Sequence, residues 1–326
     1  MEMSKRCSLR FRFVWHLSLR ADDVLEIAFA AMKCHAAPMA RLSLLLATRS
    51  HTAVLIKSGS RKGPNRYSCT VGWDRRRDTF QLGQCLRYRL QFPDLSPDGQ
   101  YFSYYVNTNN PLREHPCYSG ISRSPWLKAL TFCGEYPLRS LFLPGSASGH
   151  PKICTFGQRF KPDRNLLGVE MIPDCPPEWE SFGKEGIPII QWLRDGWRLA
   201  APWKRSSSAE VKEILRWPRT RGTYHMIFEK APAYGWKLQM THWHGNYTDD
   251  PDREPTFETF ALVSPQNEVS RLPDWISADF DAPRDRVVWT ADNMLYAAPL
   301  KSIGLEGAKV LWDGRELKFT PIEAPY

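Results

Sequence analysis

The sequence lacks the closely paired cysteines that a structural zinc site needs. Eight cysteines are spread over 326 residues, and no two of them form a Cys-x-x-Cys pair. Their positions in apolar or strand-like segments predict buried free thiols. Free thiols favour a reducing compartment, although an even count leaves disulfides open. The cysteines stand at positions 7, 34, 69, 85, 117, 133, 154 and 175.

Several catalytic motifs are also absent. The sequence has no P-loop and no dinucleotide-binding fingerprint. Residues 145–149 read GSASG, which places Ala147 where the G-x-S-x-G motif has its serine. Acidic residues near position 180, together with Asp195, leave paired-carboxylate chemistry open. We therefore assign no catalytic residue and expect no cofactor.

No run of the sequence is both long and apolar enough to cross a membrane as a helix. Residues 1–38 mix Arg-rich, acidic and Ala-rich pieces, and Asp22, Asp23 and Glu26 interrupt the apolar core that a secretory signal requires. We expect residues 1–38 to form a poorly structured or partly helical extension, with Met39 as a candidate start. One folded domain, residues 39–326, would follow, and the expected location is cytoplasmic.

The sequence is instead rich in aromatic residues and in residues that favour turns. The chain contains 13 Trp, 26 Pro and 20 Gly, a composition typical of short strands joined by many turns. The clearest hairpin is DLSPDGQYFSYYV, residues 94–106. Pro97 sets φ for the turn, Asp98 can bond its own backbone and Gly99 accepts a positive φ. The aromatic run Tyr101–Val106 predicts a strand buried on both faces.

Weaker repeats echo this hairpin. Residues 279–289 repeat its order of aspartate, turn and β-branched or aromatic finish. Trp73 and Trp312 each precede an aspartate, with Phe80 and Phe319 seven residues after the tryptophan. Two Gly-Trp pairs, at 196 and 235, lie 39 residues apart, close to the ~40–45 residues of one propeller blade.

The SPDG hairpin and these echoes resemble the repeats of TolB-type and WD-like β-propellers. The resemblance implies an all-β ring of blades, each with four antiparallel strands. At about 45 residues per blade, residues 48–326 would make six blades. We expect the ring to close by pairing Leu42–Ala47 or Val54–Lys57 with Val310–Trp312 or Phe319–Ile322. Ile187–Leu193 is interpreted as a further strand and Ser206–Leu215 as a helix.

One concentrated set of possible metal ligands occurs near residue 242. His242 and His244 would project to the same face of a strand, because alternate residues share a face. With Asp249 they could hold zinc, iron or copper, but the spacing matches no established metal motif. We predict that these histidines bind no metal tightly.

The net charge is +9, which permits acidic partners. Basic residues alternate with aromatic ones in several segments, a pattern found in single-strand nucleic-acid sites. Packing of the tryptophans between blades explains the same pattern, so nucleic acid is not the favoured partner. The candidate binding residues are Arg75, Arg76, Arg77, Trp197 and Trp243.

These features favour a non-enzymatic β-propeller that acts as a binding or scaffold protein. The expected partner is another protein or a small polar ligand at the propeller face. The alternative is a hydrolase or lyase with a polar or metal-assisted site at the channel mouth, using His242, His244 and Asp249. An enzyme requires several titratable groups that converge in a concave pocket, whereas a scaffold requires an exposed patch.

Overall fold

The structure, a computed structural model, describes residues 41–59, 67–108, 114–134, 139–143, 151–156, 169–172, 186–205, 221–231, 234–246, 256–300 and 307–326. These residues belong to one compact unit, Ala40–Tyr326. The predicted extension at 1–38 and the predicted helix at Ser206–Leu215 lie outside the described residues. No helix in the described ranges has the length and apolar character needed to cross a bilayer.

The described residues form an all-β propeller whose sheets follow one another along the chain. In blades I and II, each strand pairs antiparallel with the next. Blade I contains β1 (Arg41–Leu46), β2 (Thr52–Ser58), β3 (Ser68–Asp74) and β4 (Thr79–Leu86). Blade II contains β5 (Leu90–Leu95), β6 (Tyr101–Asn107), β7 (Cys117–Arg123) and β8 (Ala129–Cys133).

A smaller sheet and a helix follow blade II. The sheet has the order β11-β10-β9, and its β10–β11 pair is parallel. It contains β9 (Arg139–Leu143), β10 (Lys152–Phe156) and β11 (Glu170–Ile172). Helix α1 spans Gly186–Arg194, where the sequence predicted a strand at Ile187–Leu193. That prediction was wrong because a short continuous apolar run has no period that separates a buried strand from a buried helix.

Two further blades complete the described fold. Blade III has five strands and blade IV has four, all in sequential antiparallel order. Blade III contains β12 (Arg198–Arg205), β13 (Arg221–Lys230), β14 (Lys237–Asn246), β15 (Thr256–Val263) and β16 (Val269–Leu272). Blade IV contains β17 (Ser277–Asp281), β18 (Arg286–Ala291), β19 (Met294–Pro299) and β20 (Lys309–Asp313).

The described residues therefore form four blades, and the prediction of six was wrong. The estimate assumed equal blades, whereas the antiparallel blade III alone runs from Arg198 to Leu272 and the segment between blades II and III forms a three-stranded sheet with one parallel pair. The prediction of an all-β propeller is confirmed.

The SPDG segment forms the predicted hairpin between β5 and β6 of blade II. Gly99 has φ +75° and its N–H donates to the Ser96 carbonyl at 2.8 Å. The Asp98 carboxylate accepts from the Ser96 hydroxyl at 2.6 Å and from the Gln100 N–H at 3.1 Å. All of Tyr101–Val106 is buried, as predicted.

The ring closes by packing of blade I against blade IV, since β1 contacts β17 and β18. The Thr290 hydroxyl donates to the Leu42 carbonyl at 2.6 Å, and buried Leu42, Trp73, Val288 and Leu295 share one apolar cluster. The predicted pairing of a first strand with Val310–Trp312 or Phe319–Ile322 was wrong. Each terminal blade already has its own strands, so no blade needs one from the other end of the chain.

The last residues of the chain, 314–326, run from blade IV across blades I and II. The Lys57 ammonium on β2 donates to the carbonyls of Gly314, Arg315 and Leu317 at 2.7, 3.1 and 2.7 Å. Farther along, the Tyr326 hydroxyl donates to the Lys128 carbonyl of blade II at 2.8 Å. This C-terminal segment ties three blades together.

The predicted free thiols are corrected in part. Cys69 and Cys85 form a disulfide between β3 and β4, and Cys154 is also disulfide-bonded. Cys117 and Cys133 carry thiols rather than disulfides. The register that opposes Cys69 to Cys85 depends on a β-bulge between Cys69 and Val71, and the sequence pattern does not reveal that bulge.

Candidate functional site

The predicted binding residues Arg75, Arg76 and Arg77 lie in the turn between β3 and β4. Asp74 shapes this turn, because its carboxylate accepts the Arg76 N–H at 2.9 Å and its carbonyl accepts the Arg77 N–H at 3.3 Å. Asp78 follows with φ +54°, a conformation that aspartate tolerates better than most residues. Arg75 is buried, whereas Arg76 and Arg77 are exposed.

The buried Arg75 guanidinium joins blade I to blade IV. Its Nη1 lies 3.1 Å from Asp281 Oδ1, and both side chains are nearly inaccessible to solvent. Its Nη2 donates to the carbonyls of Ala47, at 2.7 Å, and Ser50. Burial lowers the pKa of Arg75, while the neighbouring Asp281 and Asp279 oppose that shift. The Arg75 guanidinium is therefore bound to partners inside the protein and is not exposed to a ligand.

A second arginine extends this network to the surface. Arg286 Nε lies 2.8 Å from Asp281 Oδ2, and its Nη2 lies 2.6 Å from Asp78 Oδ1. Burial alone would raise the pKa of Asp78, but the hydrogen bond from Arg286 and the charges of Arg286 and Arg284 outweigh it and lower that pKa. Arg284 Nη1 donates to the Arg76 carbonyl at 2.7 Å. Side chains of blade IV thus hold the β3–β4 turn at Arg75, Arg76 and Asp78.

The exposed arginines around this turn form a surface that we call the basic rim, defined by Arg49, Arg76, Arg77 and Arg284. Backbone bonds connect the turns that carry them. The Arg75 N–H donates to the His51 carbonyl at 2.8 Å, which joins the β3–β4 turn to the β1–β2 turn. Within the described ranges, neither Arg76 nor Arg77 has an ion-pair partner.

A second charged cluster connects helix α1 to blade II and the three-stranded sheet. Asp94 Oδ2 accepts from the Phe142 N–H at 2.7 Å and from Arg194 Nη1 at 2.8 Å. Its Oδ1 accepts from Gln191 Nε2 at 2.9 Å and from Arg194 Nη2 at 2.8 Å. The Asp94 carboxylate is fully satisfied, which indicates a structural role.

Asp195 and Asp94 both contact the guanidinium of Arg194. Its two oxygens lie 2.7 and 3.0 Å from Arg194 Nε and Nη2. Burial raises the pKa of Asp195 to about 6, because Arg194 compensates only part of the cost and the negative charges of Asp94 and Asp279 add to it. Asp279 is itself paired with Lys230 at 2.6 Å. A shifted carboxyl can mark a catalytic site, but Arg194 occupies both oxygens here.

The histidines of the alternative metal site do not form a ligand set with other described residues. His242 on β14 is buried, its Nδ1 lies 3.0 Å from Glu258 Oε1 and its ring packs edge-on against Trp192 at 4.9 Å. His244 lies two residues farther along the same strand. Asp249 lies outside the described residues. Within the described ranges, no group of three His, Cys, Asp or Glu residues is placed to hold a metal.

The two tryptophans among the candidate binding residues are interior residues. Trp197 is 5% exposed and Trp243 is 2% exposed. The Trp243 indole N–H donates to the Thr259 hydroxyl at 3.0 Å, and the Lys230 ammonium lies 5.7 Å above the Trp197 ring. Both side chains pack within blade III or against it. Of the five predicted binding residues, Arg76 and Arg77 are therefore the exposed ones.

Sequence reasoning missed Asp281 and Arg286, the partners that fix the β3–β4 turn. Both belong to the segment 279–289, whose pattern indicates an echo of the hairpin rather than a source of charges. Their relation to Arg75 depends on ring closure, so it has no local signal in the sequence. An Asp-x-x-x-x-Arg spacing around a short Pro-containing turn is too common to identify them.

Comparisons with known proteins leave the family open. No protein-family model and no curated protein sequence matches the chain, so the TolB-type resemblance stays a prediction. Among solved structures, the hydrazine synthase of Kuenenia stuttgartiensis aligns over 88% of this chain and 80% of its own, at 9% identity and a TM-score of 0.31. A Dos1 propeller aligns over 80% of this chain and 73% of its own, at 8% identity and a TM-score of 0.23. Scores of this size support no inference about function.

Proposed function

We propose that this chain is a non-enzymatic β-propeller that binds a partner through the face carrying the basic rim. The observation that carries the proposal is the contrast in burial among the arginines of the β3–β4 turn. Arg75 is buried in an ion pair with Asp281, while Arg76 and Arg77 are exposed and have no ion-pair partner among the described residues. The buried arginine fixes the backbone from which the exposed arginines project.

Such an arrangement favours binding because the turn is already ordered before a partner arrives. Ordering a loop on binding costs free energy, and a preorganised surface avoids that cost. Arg284 and Asp74 add further bonds to the same turn. Arginine also offers several N–H donors in a rigid fork, which suits recognition of carboxylate or phosphate groups.

The enzyme alternative has less support from the described residues. Its three proposed ligands include Asp249, outside the described residues, and a buried His242 that is paired with Glu258. Asp195 has a raised pKa, but Arg194 contacts both of its oxygens. A catalytic carboxyl needs an oxygen available to substrate.

Selection of random peptides displayed on phage tests the proposal even while the partner is unidentified. The full chain is the target, and each selected peptide is measured against two variants with the same charge change. R76E/R77E alters the basic rim, while R271E/K309E reverses two exposed charges on β16 and β20. We expect selected peptides to lose binding to R76E/R77E alone. Peptides that bind both variants equally would contradict the proposed surface.

A further inference from the structure

We propose that the occupant of the basic rim is an acidic polypeptide segment, a loop or tail of a partner protein rich in Asp and Glu. This inference rests on the proposed function, because it names the ligand chemistry for the same face. Its basis is the sign and exposure of the guanidinium groups and the fixed backbone of the turn that carries Arg76 and Arg77.

Three of the rim arginines, Arg49, Arg76 and Arg77, have no ion-pair partner among the described residues, whereas Arg284 is paired with Asp78. Asp74 and Asp78 flank the three arginines of the turn in sequence, and the Asp74 carboxylate accepts a backbone N–H of the turn. Asp78 is paired with Arg286 at 2.6 Å and with Arg284 of the rim at 3.3 Å. The acids of the turn are therefore engaged, and a carboxylate from a partner would complete the rim.

Geometry favours several carboxylates on one flexible segment over a single small anion. The four arginines of the rim come from three turns, those after β1, β3 and β17. Arg49 is tied to the hairpin of blade II through its N–H, which donates to the Pro97 carbonyl at 2.8 Å. An extended peptide can reach successive turns, and several weak surface ion pairs then act together.

The surroundings of the rim favour a peptide over single-stranded nucleic acid. Nucleic-acid grooves combine cations with exposed aromatic rings on which bases stack. Trp197, which lies in one of the segments where basic and aromatic residues alternate, is buried. The hydroxyl of the exposed Tyr234 donates to Asp285 at 2.9 Å, so this ring is tied to the turn after β17.

Fluorescence anisotropy with defined probes tests the inference on the full chain. The probes are a labelled peptide of alternating Glu and Gly, its Gln analogue, and a thymidine oligonucleotide of equal length. We expect the Glu peptide to bind about tenfold more tightly than the Gln peptide, with affinity falling as salt rises. R76E/R77E should weaken the Glu peptide about tenfold, whereas R271E/K309E should leave it within about twofold. Thermal unfolding of both variants verifies that they are folded.

The outcomes separate this inference from the proposed function. Equal affinity for the Glu and Gln peptides, or tighter binding of the oligonucleotide, would overturn the acidic-segment inference. If phage-selected peptides depend on Arg76 and Arg77 but carry no excess of acidic residues, the binding face stands and its assigned partner chemistry falls. If no selected peptide depends on those arginines, the proposed function falls as well.

Discussion

Arg75 and Asp281 form a buried ion pair, 3.1 Å between Nη1 and Oδ1, although the two residues lie 206 positions apart in the chain. The pair joins the β3–β4 turn of blade I to the end of β17 in blade IV. It therefore does two things at once: it fastens the closing point of the ring and fixes the turn that carries Arg76 and Arg77. Stability and the proposed binding surface depend on the same contact.

Removal of Asp281 should destabilise the protein strongly. Asp281→Ala leaves the guanidinium groups of Arg75 and Arg286 buried without their carboxylate, and breaking a buried pair in this way costs about 3–5 kcal/mol. Chemical denaturation measures the change. Arg315→Ala, which removes the exposed Arg315–Asp313 pair, is the control and should change stability little. Equal effects of the two substitutions would show that the buried pair does not fasten the ring.

Asp195 should give the protein a distinctive pH dependence of stability. Its folded pKa of about 6 lies above its ordinary value, so the folded state binds this proton more tightly than the unfolded state. The resulting stabilisation is complete below about pH 4 and is lost as pH rises through 6. Relative to Asp195→Asn, the parent should therefore lose stability between pH 4 and 7.

Unfolding midpoints across that pH range provide the measurement for Asp195. The exposed Asp274→Asn, which removes one carboxylate elsewhere on the surface, is the matched control. Asp94, Asp279, Arg194 and Lys230 are the charged groups around this carboxyl, and all are unchanged in both variants. A constant offset for Asp195→Asn would contradict the raised pKa.

Lys57 should hold the C-terminal segment against blade I. Lys57→Met removes the ammonium that donates to three carbonyls of residues 314–317, so those carbonyls lose their partner. We expect faster cleavage by a glutamate-specific protease at Glu316 and Glu323. Lys318→Met changes an exposed lysine of the same segment and should not accelerate cleavage. Unchanged cleavage in the Lys57 variant would show that other contacts suffice.

The cysteines should fall into two chemical classes when the protein is alkylated before lysis and digested without reduction. The Cys69–Cys85 linkage should appear as a cross-linked peptide, because the two residues oppose each other across β3 and β4. Cys117 and Cys133 should be alkylated. Full alkylation of Cys69 and Cys85 would mean a reducing compartment, in keeping with the predicted cytoplasmic location.

The hairpin at residues 94–106 was predicted correctly because its conformation depends on local turn residues. Pro97 and Gly99 identified a hairpin whose conformation is decided by four residues, and the aromatic run Tyr101–Val106 predicted the buried strand that follows it. The blade number was wrong because it depends on how unequal segments are shared among sheets. The strand predicted at Ile187–Leu193 was a helix because its apolar run carries no distinguishing period.

The candidate site was predictable only in part, because it depends on contacts between distant segments of the chain. The run Arg75, Arg76 and Arg77 was visible as a basic turn, but its division into one buried and two exposed arginines depends on Asp281 in a distant blade. Likewise, Trp197 and Trp243 were predicted as binding residues, and tertiary packing placed both in the interior. The burial of Arg75, Trp197 and Trp243 depends on packing between distant segments of the chain.

Photo-crosslinking tests the central claim, binding through the basic rim, most directly. A photoreactive amino acid is placed at exposed Thr79, which leaves Arg76 and Arg77 intact, and at exposed Ser270 on β16 as the control. The probe is the tightest phage-selected peptide, and adducts are mapped by mass spectrometry. The account predicts adducts at position 79 and not at 270. Adducts at 270 alone, or equal adducts at both positions, would contradict it.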